Sequence, residues 1–513
     1  MRFQIQLKRW WTVLALLPNI FQKSTLAFIL RDDVTHATRY SHRITRLGSS
    51  STLQRKISVE NHLCPQAESY TSEVEKTQKN ECLFTALYQT INVGPEDLLR
   101  IEENECGVRG IYLNRHVQAG DVILRIPLSS CLRDDQPPYW FTRREPEVEG
   151  SVMPSDWATR LAASLIDAKL KPSCDVIQFH PSEHKGSKSR ATDLWLSLLP
   201  ESKFLRATLP VHWSTSLLQS ARCTALELAV DSAFFARAQA VEDLMQALAT
   251  ALSADMFELN YRELRQECED ALDVIQTRSC RVMTETVRDW PNQPLRLVAP
   301  VFDFINHDGA PNARFSLENL DENFDSEKHL IVRLICDLEA NTEVLIDYGD
   351  SARPAWKCLA SYGFVPPYDE SLEKAEDEDD DQQQEVAEVY MDGVRYEVGP
   401  NSIPHEMVAA IITTSQGGSR TLPEPVEEVK FTPDIAIRLA RRISDAAFHL
   451  LTDPPIVEED DDADDDNMYQ SAEEILSARL AASLRWNQHR ILMACSLGLR
   501  DWAVQANSRG QAT

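Results

Sequence analysis

Short β-rich runs lie on both sides of a long helical block, and this order constrains the fold more than any other feature of the sequence. Residues 107–128 hold two such runs around an Ala119-Gly120-Asp121 turn, which predicts a hairpin. From Trp157 to about Cys280 the apolar residues recur at helical spacing. Strand-like runs return at Leu295–Ile305, Leu330–Cys336 and Glu343–Tyr348. We therefore predict an α+β fold in which a helical insert, at about 150–275, interrupts a domain of short strands.

The last part of the chain, residues 367–513, reads as a mostly helical domain and carries two acidic runs. These runs are Glu376–Asp381 and Glu458–Asp466, the second broken only by Ala463. Self-repulsion prevents such runs from packing, so we expect solvated, disordered surface loops. The alternative interpretation is that they attract a basic partner.

The overall charge argues against two classes of partner. Among 513 residues, 52 Lys and Arg face 80 Asp and Glu, for a formal charge of -28. Nucleic acid and anionic membranes are therefore disfavoured as principal partners, whereas a basic protein segment is favoured. The sequence leaves the oligomeric state open.

Residues 1–60 differ from the rest, because they hold ten Lys and Arg against three Asp and Glu. Basic residues precede the apolar run Trp10 to Leu17, which is too short to span a bilayer and is typical of a signal peptide. Cleavage after Ala27 would leave Phe28 first, followed by a basic, hydroxylated stretch like a transit peptide. Together these features resemble the bipartite plastid presequence of algae with secondary plastids.

We therefore predict that residues 1–60 are a cleaved presequence that directs the chain to a plastid. Secretion, or retention in the endomembrane system, is the alternative. The 11 cysteines are an odd number without close pairs, and no Asn-x-Ser/Thr sequon occurs, which both disfavour secretion. No second apolar stretch could span a membrane, so we expect no stable membrane association after presequence removal.

The sequence lacks the motifs of several common nucleotide-binding, hydrolase and zinc sites. There is no Gly-x-Gly pair for a dinucleotide fold, no phosphate-binding P-loop and no Gly-x-Ser-x-Gly elbow. Cys-x-x-Cys and His-Glu-x-x-His are also missing, so we predict no zinc site.

Three segments that are far apart in sequence carry the functional inference. The first is Arg109-Gly110-Ile111 followed by Val117-x-Ala-Gly-Asp-Val-Ile, and the second is Pro300-Val-Phe-Asp-Phe-Ile-Asn-His307. The third is Glu339-Ala-Asn-Thr-Glu-Val-Leu-Ile-Asp-Tyr348-Gly349, with Leu359-x-x-Tyr362-Gly363-Phe364 after it. Together they resemble SET-domain protein methyltransferases, in the branch that includes Rubisco large-subunit methyltransferase. The resemblance implies a SET domain over residues 93–366 and a helical substrate-binding domain over residues 367–513.

The resemblance also implies S-adenosylmethionine as cofactor and gives individual residues roles. Tyr348 is the expected catalytic residue, and it also borders the cofactor. Arg278, in a Thr-Arg sequence, is expected to bind the cofactor's carboxylate with two parallel hydrogen bonds, and Arg281 is the alternative if the alignment shifts. The other expected cofactor-binding residues are Arg109, Gly110, Asp303, Asn306, His307 and Phe364.

Two aromatic residues are expected to bind the substrate. Tyr362 would form a wall of the substrate pocket, and Phe315 stands where this branch can carry a second Tyr near the lysine. The implied activity is protein N-methylation, first of all on lysine of a plastid protein such as Rubisco large subunit or aldolase. Histidine methylation, known in the same branch, and a non-catalytic binding protein with a SET fold are the alternatives.

Overall fold

The computed structural model describes residues 27–29, 68–95, 97–103, 108–142, 156–170, 187–283, 294–319, 328–349, 354–367, 386–400, 402–415, 431–452 and 471–510. Apart from the backbone of Ala27–Ile29, the predicted presequence 1–60 lies outside these residues. Both predicted acidic runs also lie outside them.

Helices make up most of the described chain. In chain order they are α1 Glu68–Ile91, α2 Tyr139–Thr142, α3 Trp157–Leu170, α4 Ser187–Leu198, α5 Ser202–Thr208, α6 Thr215–Ser220, α7 Thr224–Ala251, α8 Ala254–Leu259, α9 Tyr261–Arg278, α10 Ala355–Tyr362, α11 His405–Ser415, α12 Pro433–Thr452 and α13 Ala472–Gly510. Short 3₁₀ turns occur at Leu128–Ser130, Pro210–His212 and Phe302–Phe304.

The strands are short and form several small sheets. They are β1 Ala27–Ile29, β2 Leu99–Glu103, β3 Arg109–Leu113, β4 Val122–Pro127, β5 Leu132–Arg133, β6 Cys280–Val282, β7 Leu295–Val298, β8 Asn306–His307, β9 Ala313–Asn319, β10 Lys328–Leu334, β11 Leu345–Ile346, β12 Ala387–Met391, β13 Val394–Val398 and β14 Ser402–Pro404. The largest sheet has the order β4-β10-β9-β11-β8, and smaller sheets pair β2 with β3, β5-β7-β6, β12 with β13, and β1 with β14.

Helices α3 to α9 interrupt the strands, as the hydrophobic pattern predicts. All of them except α6 share one hydrophobic core with the strands and with α1, in which Phe84, Trp195 and Phe304 are each at most 2 % exposed. The β9 strand alternates between buried and exposed residues, as expected for a strand with one face on a core. The predicted α+β class, with short strands interrupted by a helical insert, is confirmed.

The C-terminal part has a core of its own, and a third cluster joins it to the insert. Helix α12 buries Ala436, Leu439, Ala440, Ile443 and Ala447, whose spacing of three to four residues forms one apolar face. In the joining cluster, Leu226 of α7, Leu359 of α10 and Leu484 of α13 pack together.

One local prediction is wrong. The runs within residues 107–128 do not form a hairpin with each other, because β3 pairs with β2 and β4 pairs with β10. The turn at Gly120 exists, with φ of +87°, but the strands beside it find partners elsewhere in the chain. After Pro367, the predicted helical domain also contains the β12–β13 hairpin.

Within the described part of the chain, no helix is both long enough and apolar enough to cross a membrane. The same residues hold no group of three or more His, Cys, Asp or Glu side chains placed to bind a metal ion.

Candidate active site

The three predicted segments meet at one stretch of backbone, residues 342–346. On one side this stretch contacts β3, where the Val344 amide donates to the Ile111 carbonyl oxygen at 2.8 Å. On the other side β11 lies parallel to β8, so that Leu345 is opposite Asn306 and Ile346 is opposite His307. Chain segments more than 200 residues apart in sequence are thereby fixed against each other.

A carboxylate that the sequence analysis did not single out holds this junction together. Glu343 accepts a hydrogen bond from Asn306 Nδ2 at 2.8 Å through one oxygen, and from the Tyr112 hydroxyl at 3.2 Å through the other. Asn306 Nδ2 also donates to the Arg109 carbonyl oxygen at 3.0 Å. Both N–H groups of the predicted cofactor-binding Asn306 are therefore used to position backbone and Glu343.

Gly110 is required at its position by this close packing. A Cβ atom there would lie 2.2 Å from Glu343 Oε1 and 3.0 Å from Asn306 Nδ2, well inside contact distance. The predicted residue Gly110 thus allows the Asn306–Glu343 pair to approach the backbone of β3.

Arg109 and Arg278, both predicted to bind the cofactor, contact the ring of Phe304. The guanidinium carbons of Arg109 and Arg278 are 5.7 Å and 5.2 Å from the ring centre of Phe304, within the range of cation–π attraction. Arg109 also donates to the Leu198 carbonyl oxygen at 2.7 Å. Burial and the positive charge of Arg278 both lower the pKa of Arg109. The alternative residue Arg281 is exposed on β6, whereas Arg278 contacts Phe304.

Asp303 lies beside the arginines with a fully buried side chain. It accepts a hydrogen bond from Trp195 Nε1 at 3.0 Å and forms an ion pair with Arg278 Nη1 at 3.4 Å. Burial raises the pKa of Asp303, and the Arg278 charge opposes that rise. Arg278 Nε and Asp303 Oδ1 are both buried and have no hydrogen-bond partner among the described residues.

An unusual backbone conformation precedes this cluster. Val301 has φ of +75° and ψ of -50°, a region that is strained for a β-branched residue. It begins the 3₁₀ turn Phe302–Phe304, which places Asp303 and Phe304 at the arginines. The strained residue therefore lies two positions before the predicted site residue Asp303, and strain of this kind is common in binding sites.

The remaining predicted residues form an aromatic cluster. The ring centre of Tyr348 is 5.2 Å from that of His307, 4.9 Å from Tyr362 and 6.4 Å from Phe364. The Tyr348 hydroxyl donates to the Ile305 carbonyl oxygen at 2.9 Å, and its amide donates to His307 Nδ1 at 3.2 Å. The second bond makes Nδ1 an acceptor, so that neutral His307 carries its proton on Nε2. Burial raises the pKa of Tyr348, so the phenol is neutral at physiological pH.

Phe315 occupies a different position from the other predicted residues. Its ring packs against Phe302, with centres 4.9 Å apart, at the edge of the core. Among the described ring contacts, Phe315 does not join the cluster of His307, Tyr348, Tyr362 and Phe364. The predicted substrate contact of Phe315 stays a prediction.

Fold and site together define an α+β protein in which three separate chain segments meet, with the charged pair Arg278 and Asp303 on one side of Phe304 and an aromatic cluster around Tyr348. The family model of the SET domain matches residues 108–349. This region of the chain is therefore similar to a SET domain.

Comparison with solved structures finds two similar chains among others. One is described as the SET domain of LSMT bound to lysine and AdoHcy, with 13 % identity, a TM-score of 0.44, and coverage of 84 % of this chain and 93 % of the other. The second is Rubisco LSMT bound to sinefungin and monomethyllysine, with 15 % identity, a TM-score of 0.43 and the same coverage. A search of curated proteins finds no significant sequence match.

Proposed function

We propose that this chain is an S-adenosylmethionine-dependent protein-lysine N-methyltransferase. The observation that carries the proposal is the position of Tyr348 within the region similar to a SET domain. Its phenol lies where the three separate segments meet, tied to Ile305 and surrounded by His307, Tyr362 and Phe364. Each of these residues was expected at the site from the sequence resemblance.

The charged pair of the site suits the amino-acid part of S-adenosylmethionine. That part carries a carboxylate and an ammonium group, and among the described residues Arg278 Nε is a buried donor and Asp303 Oδ1 a buried acceptor without a partner. Arg278 would hold the carboxylate, because a guanidinium binds carboxylates strongly, and Asp303 would hold the ammonium. When bound, the cofactor supplies a methyl group on a positively charged sulfur, which an uncharged amine can attack.

The aromatic cluster around Tyr348 supports the use of a neutral amine. A lysine with its ordinary pKa near 10.4 is uncharged in only about one molecule in 2,500 at pH 7, a penalty of roughly 4.6 kcal/mol. Rings such as Tyr348, Tyr362 and Phe364 exclude water and so lower the pKa of an amine placed between them. A lysine that enters this cluster would lose its proton more easily than in water.

Tyr348 acts by positioning in this proposal. Its hydroxyl hydrogen is already donated to the Ile305 carbonyl, so the lone pairs of the phenol oxygen are available to accept an N–H of the amine. Holding the amine in line with the transferred methyl accounts for most of the rate gain in such a displacement. The phenol stays protonated throughout, because burial raises its pKa.

The direct test is methyl transfer by the purified chain. Incubation with labelled S-adenosylmethionine and a plastid extract, followed by mass spectrometry of the labelled protein, should show methyl groups on lysine. Label on histidine would redirect the assignment within the same enzyme class. If there is no label and calorimetry detects no cofactor binding at millimolar concentration, the chain is a binding protein and the proposal is wrong.

We further propose that the substrate is a plastid protein, with Rubisco large subunit and aldolase as the first candidates. The support is the composition of residues 1–60, which combines a signal-peptide pattern with a basic, hydroxylated stretch. A fluorescent reporter fused to residues 1–60 should enter the plastid of an alga with secondary plastids. Fluorescence confined to the secretory pathway would contradict the location and leave the enzymatic proposal standing.

A further inference from the structure

Helices α9 and α10, which both carry predicted site residues, are joined near their C-terminal ends. Arg278 is the last residue of α9, and Tyr362 is the last residue of α10, with Phe364 two positions beyond it. Gln276, two positions before Arg278, donates through Nε2 to the Ala360 carbonyl oxygen at 2.8 Å. This bond links the end that carries the predicted cofactor-binding arginine to the end that carries the predicted substrate-binding tyrosine.

The Gln276 side chain satisfies a backbone group that α10 cannot satisfy by itself. The last four carbonyl oxygens of a helix have no partner within the helix. In α10 the Leu359 carbonyl accepts from the Gly363 amide at 3.0 Å, and the next carbonyl, that of Ala360, accepts from Gln276. Gly363 has φ of +77°, a left-handed conformation that commonly ends a helix. Gln276 therefore caps the last turn of α10 from outside.

Helix α9 is firmly anchored and can support this cap. Its carboxylates Asp270 and Asp273 are only 8 % and 0 % exposed. Asp270 accepts from Arg206 Nη2 at 2.9 Å, and Asp273 pairs with Arg237 Nη1 at 2.7 Å. These pairs fix α9 against α5 and α7, because breaking a buried ion pair leaves an uncompensated charge. A fixed α9 holds the end of α10 through Gln276.

Thr208, the last residue of α5, also packs against the end of α10. A Cβ atom at Gly363 would lie 2.8 Å from Thr208 Oγ1 and 2.9 Å from Thr208 Cβ, so the two residues are in close contact. Thr208 is buried, at 6 % exposed. The segment from Tyr362 to Phe364 is thus held both by a hydrogen bond to α9 and by packing against α5.

The position of this segment determines how the aromatic cluster surrounds Tyr348. The ring centre of Tyr348 is 4.9 Å from that of Tyr362 and 6.4 Å from that of Phe364, and the latter two rings stack at 6.1 Å. All three residues are partly exposed. A shift of the end of α10 would displace Tyr362 and Phe364 relative to Tyr348, whereas Arg278 on α9 would stay in place.

We propose that Gln276 is a positioning residue for the methyl acceptor. It holds the last turn of α10, and with it the rings of Tyr362 and Phe364, at the distance from Tyr348 that a lysine side chain requires. This inference rests on the proposed methyltransferase function and adds to it a residue that touches neither substrate nor cofactor. Without the Gln276 bond, the acceptor should bind more weakly while cofactor binding is kept.

The test replaces Gln276 by methionine, which has a similar length but no N–H donor. The amides of residues 359–364 should exchange hydrogen faster, because the last turn of α10 loses its cap. The dissociation constant of S-adenosylhomocysteine, the demethylated cofactor, should stay within about twofold in calorimetry, because Arg278 keeps its position. Free lysine, titrated into the complex with S-adenosylhomocysteine, should bind about fivefold to tenfold more weakly, as expected for the loss of one hydrogen bond.

Gln266→Met is the matched control. Gln266 is a half-buried glutamine on the same helix, and its Nε2 donates to Asp270 Oδ1 at 2.8 Å. Asp270 keeps its bonds to Ser202 and Arg206 in this variant. The control should therefore change neither dissociation constant and leave hydrogen exchange at residues 359–364 as it is.

The unaltered chain separates a failure of this inference from a failure of the proposed function. If it binds neither S-adenosylhomocysteine nor free lysine, the methyltransferase proposal is wrong and the role of Gln276 falls with it. If it binds both, three results would overturn the role of Gln276 alone. These are unchanged lysine binding in Gln276→Met, equal weakening of both ligands in that variant, and equally weakened lysine binding in Gln266→Met.

Discussion

The phenol of Tyr348 donates a hydrogen bond of 2.9 Å to the backbone carbonyl oxygen of Ile305. Ile305 comes directly before Asn306 and His307, so this one bond joins the last of the three site segments to the middle one. A second hydrogen bond joins the same two segments, because His307 Nδ1 accepts from the Tyr348 amide at 3.2 Å. These two bonds fix the phenol in place.

Replacing Tyr348 by phenylalanine should separate activity from stability. The variant keeps the ring contacts but loses one hydrogen bond, so we expect a loss of about 1 kcal/mol in unfolding free energy. Methyl transfer should fall about 100-fold, because the amine loses the group that positions it. Urea unfolding and a labelled-methyl assay measure the two effects.

Tyr88→Phe is the matched control for that experiment. Tyr88 also donates its phenol hydrogen to a backbone carbonyl, that of Pro95 at 3.1 Å, but it lies in α1 outside the site. Its removal should cost similar stability and leave methyl transfer unchanged. Equal loss of activity in both variants would mean that Tyr348 acts only through stability.

A methyl group at position 110 should disturb the site through Glu343. In Gly110→Ala the new Cβ would displace the Glu343 carboxylate and break its bond to Asn306. We expect a loss of about 1–3 kcal/mol in unfolding free energy, together with weaker cofactor binding in calorimetry. Combining the change with Glu343→Ala removes the collision, so the cost of Gly110→Ala should be much smaller in that background.

Gly498→Ala provides the comparison at an uncrowded glycine. Gly498 lies inside α13, and a Cβ atom there would have no neighbour within 4 Å. The change should stabilise the protein by roughly 0.5–1 kcal/mol, since alanine favours a helix. A similar loss at both glycines would contradict the role given to Glu343.

The rate of methyl transfer should rise with pH. The neutral fraction of a lysine grows nearly tenfold per unit below its pKa, so kcat/KM should increase steeply between about pH 7 and 9. Burial raises the pKa of Tyr348 above its ordinary value of 10.0, which means that its protonated form persists to higher pH. The phenol should therefore add no decline in rate within that range. A rate that falls above pH 8, while circular dichroism shows an intact fold, would contradict this protonation scheme.

Local sequence patterns predicted the helical insert, but neither helix α1 nor the strand partners. Helix α9 buries Leu264, Cys268, Ala271 and Ile275, whose spacing is visible in the sequence. Strands β3 and β4 pair with distant segments, and no local pattern encodes those contacts. The β12–β13 hairpin had a clear signal in its Asp392-Gly393 turn, where both residues have positive φ, as a type I′ turn requires.

The site shows the same division between local and long-range information. Motif resemblance indicated Arg278, Asn306 and Tyr348, whose residue types stand out at their positions. Glu343 lies within the third motif, but its role depends on a contact with Asn306, 37 residues away. The role of Phe304 could not be predicted from the sequence either, because its contact with the two arginines forms only when the chain folds.

Glu388 provides the last prediction, because it caps a helix that belongs to another part of the chain. Its carboxylate accepts from the Thr224 and Ala225 amides, at 3.1 Å and 2.8 Å, at the start of α7. The residue at the N-cap, Cys223, supplies no side-chain bond of its own. Glu388→Gln should therefore lower the unfolding free energy by about 1–2 kcal/mol, because a negative charge at a helix N-terminus is lost.

Glu397→Gln tests whether that loss comes from the helix cap. Glu397 also pairs with Arg395, but 46 % of its side chain is exposed. An exposed ion pair contributes little, so this change should cost less than about 0.5 kcal/mol in the same urea unfolding experiment. Since salt screens exposed pairs more than buried ones, the difference between the two variants should persist at high ionic strength. Equal costs would instead assign the effect to the shared partner Arg395 and remove the link between β12 and the helical insert.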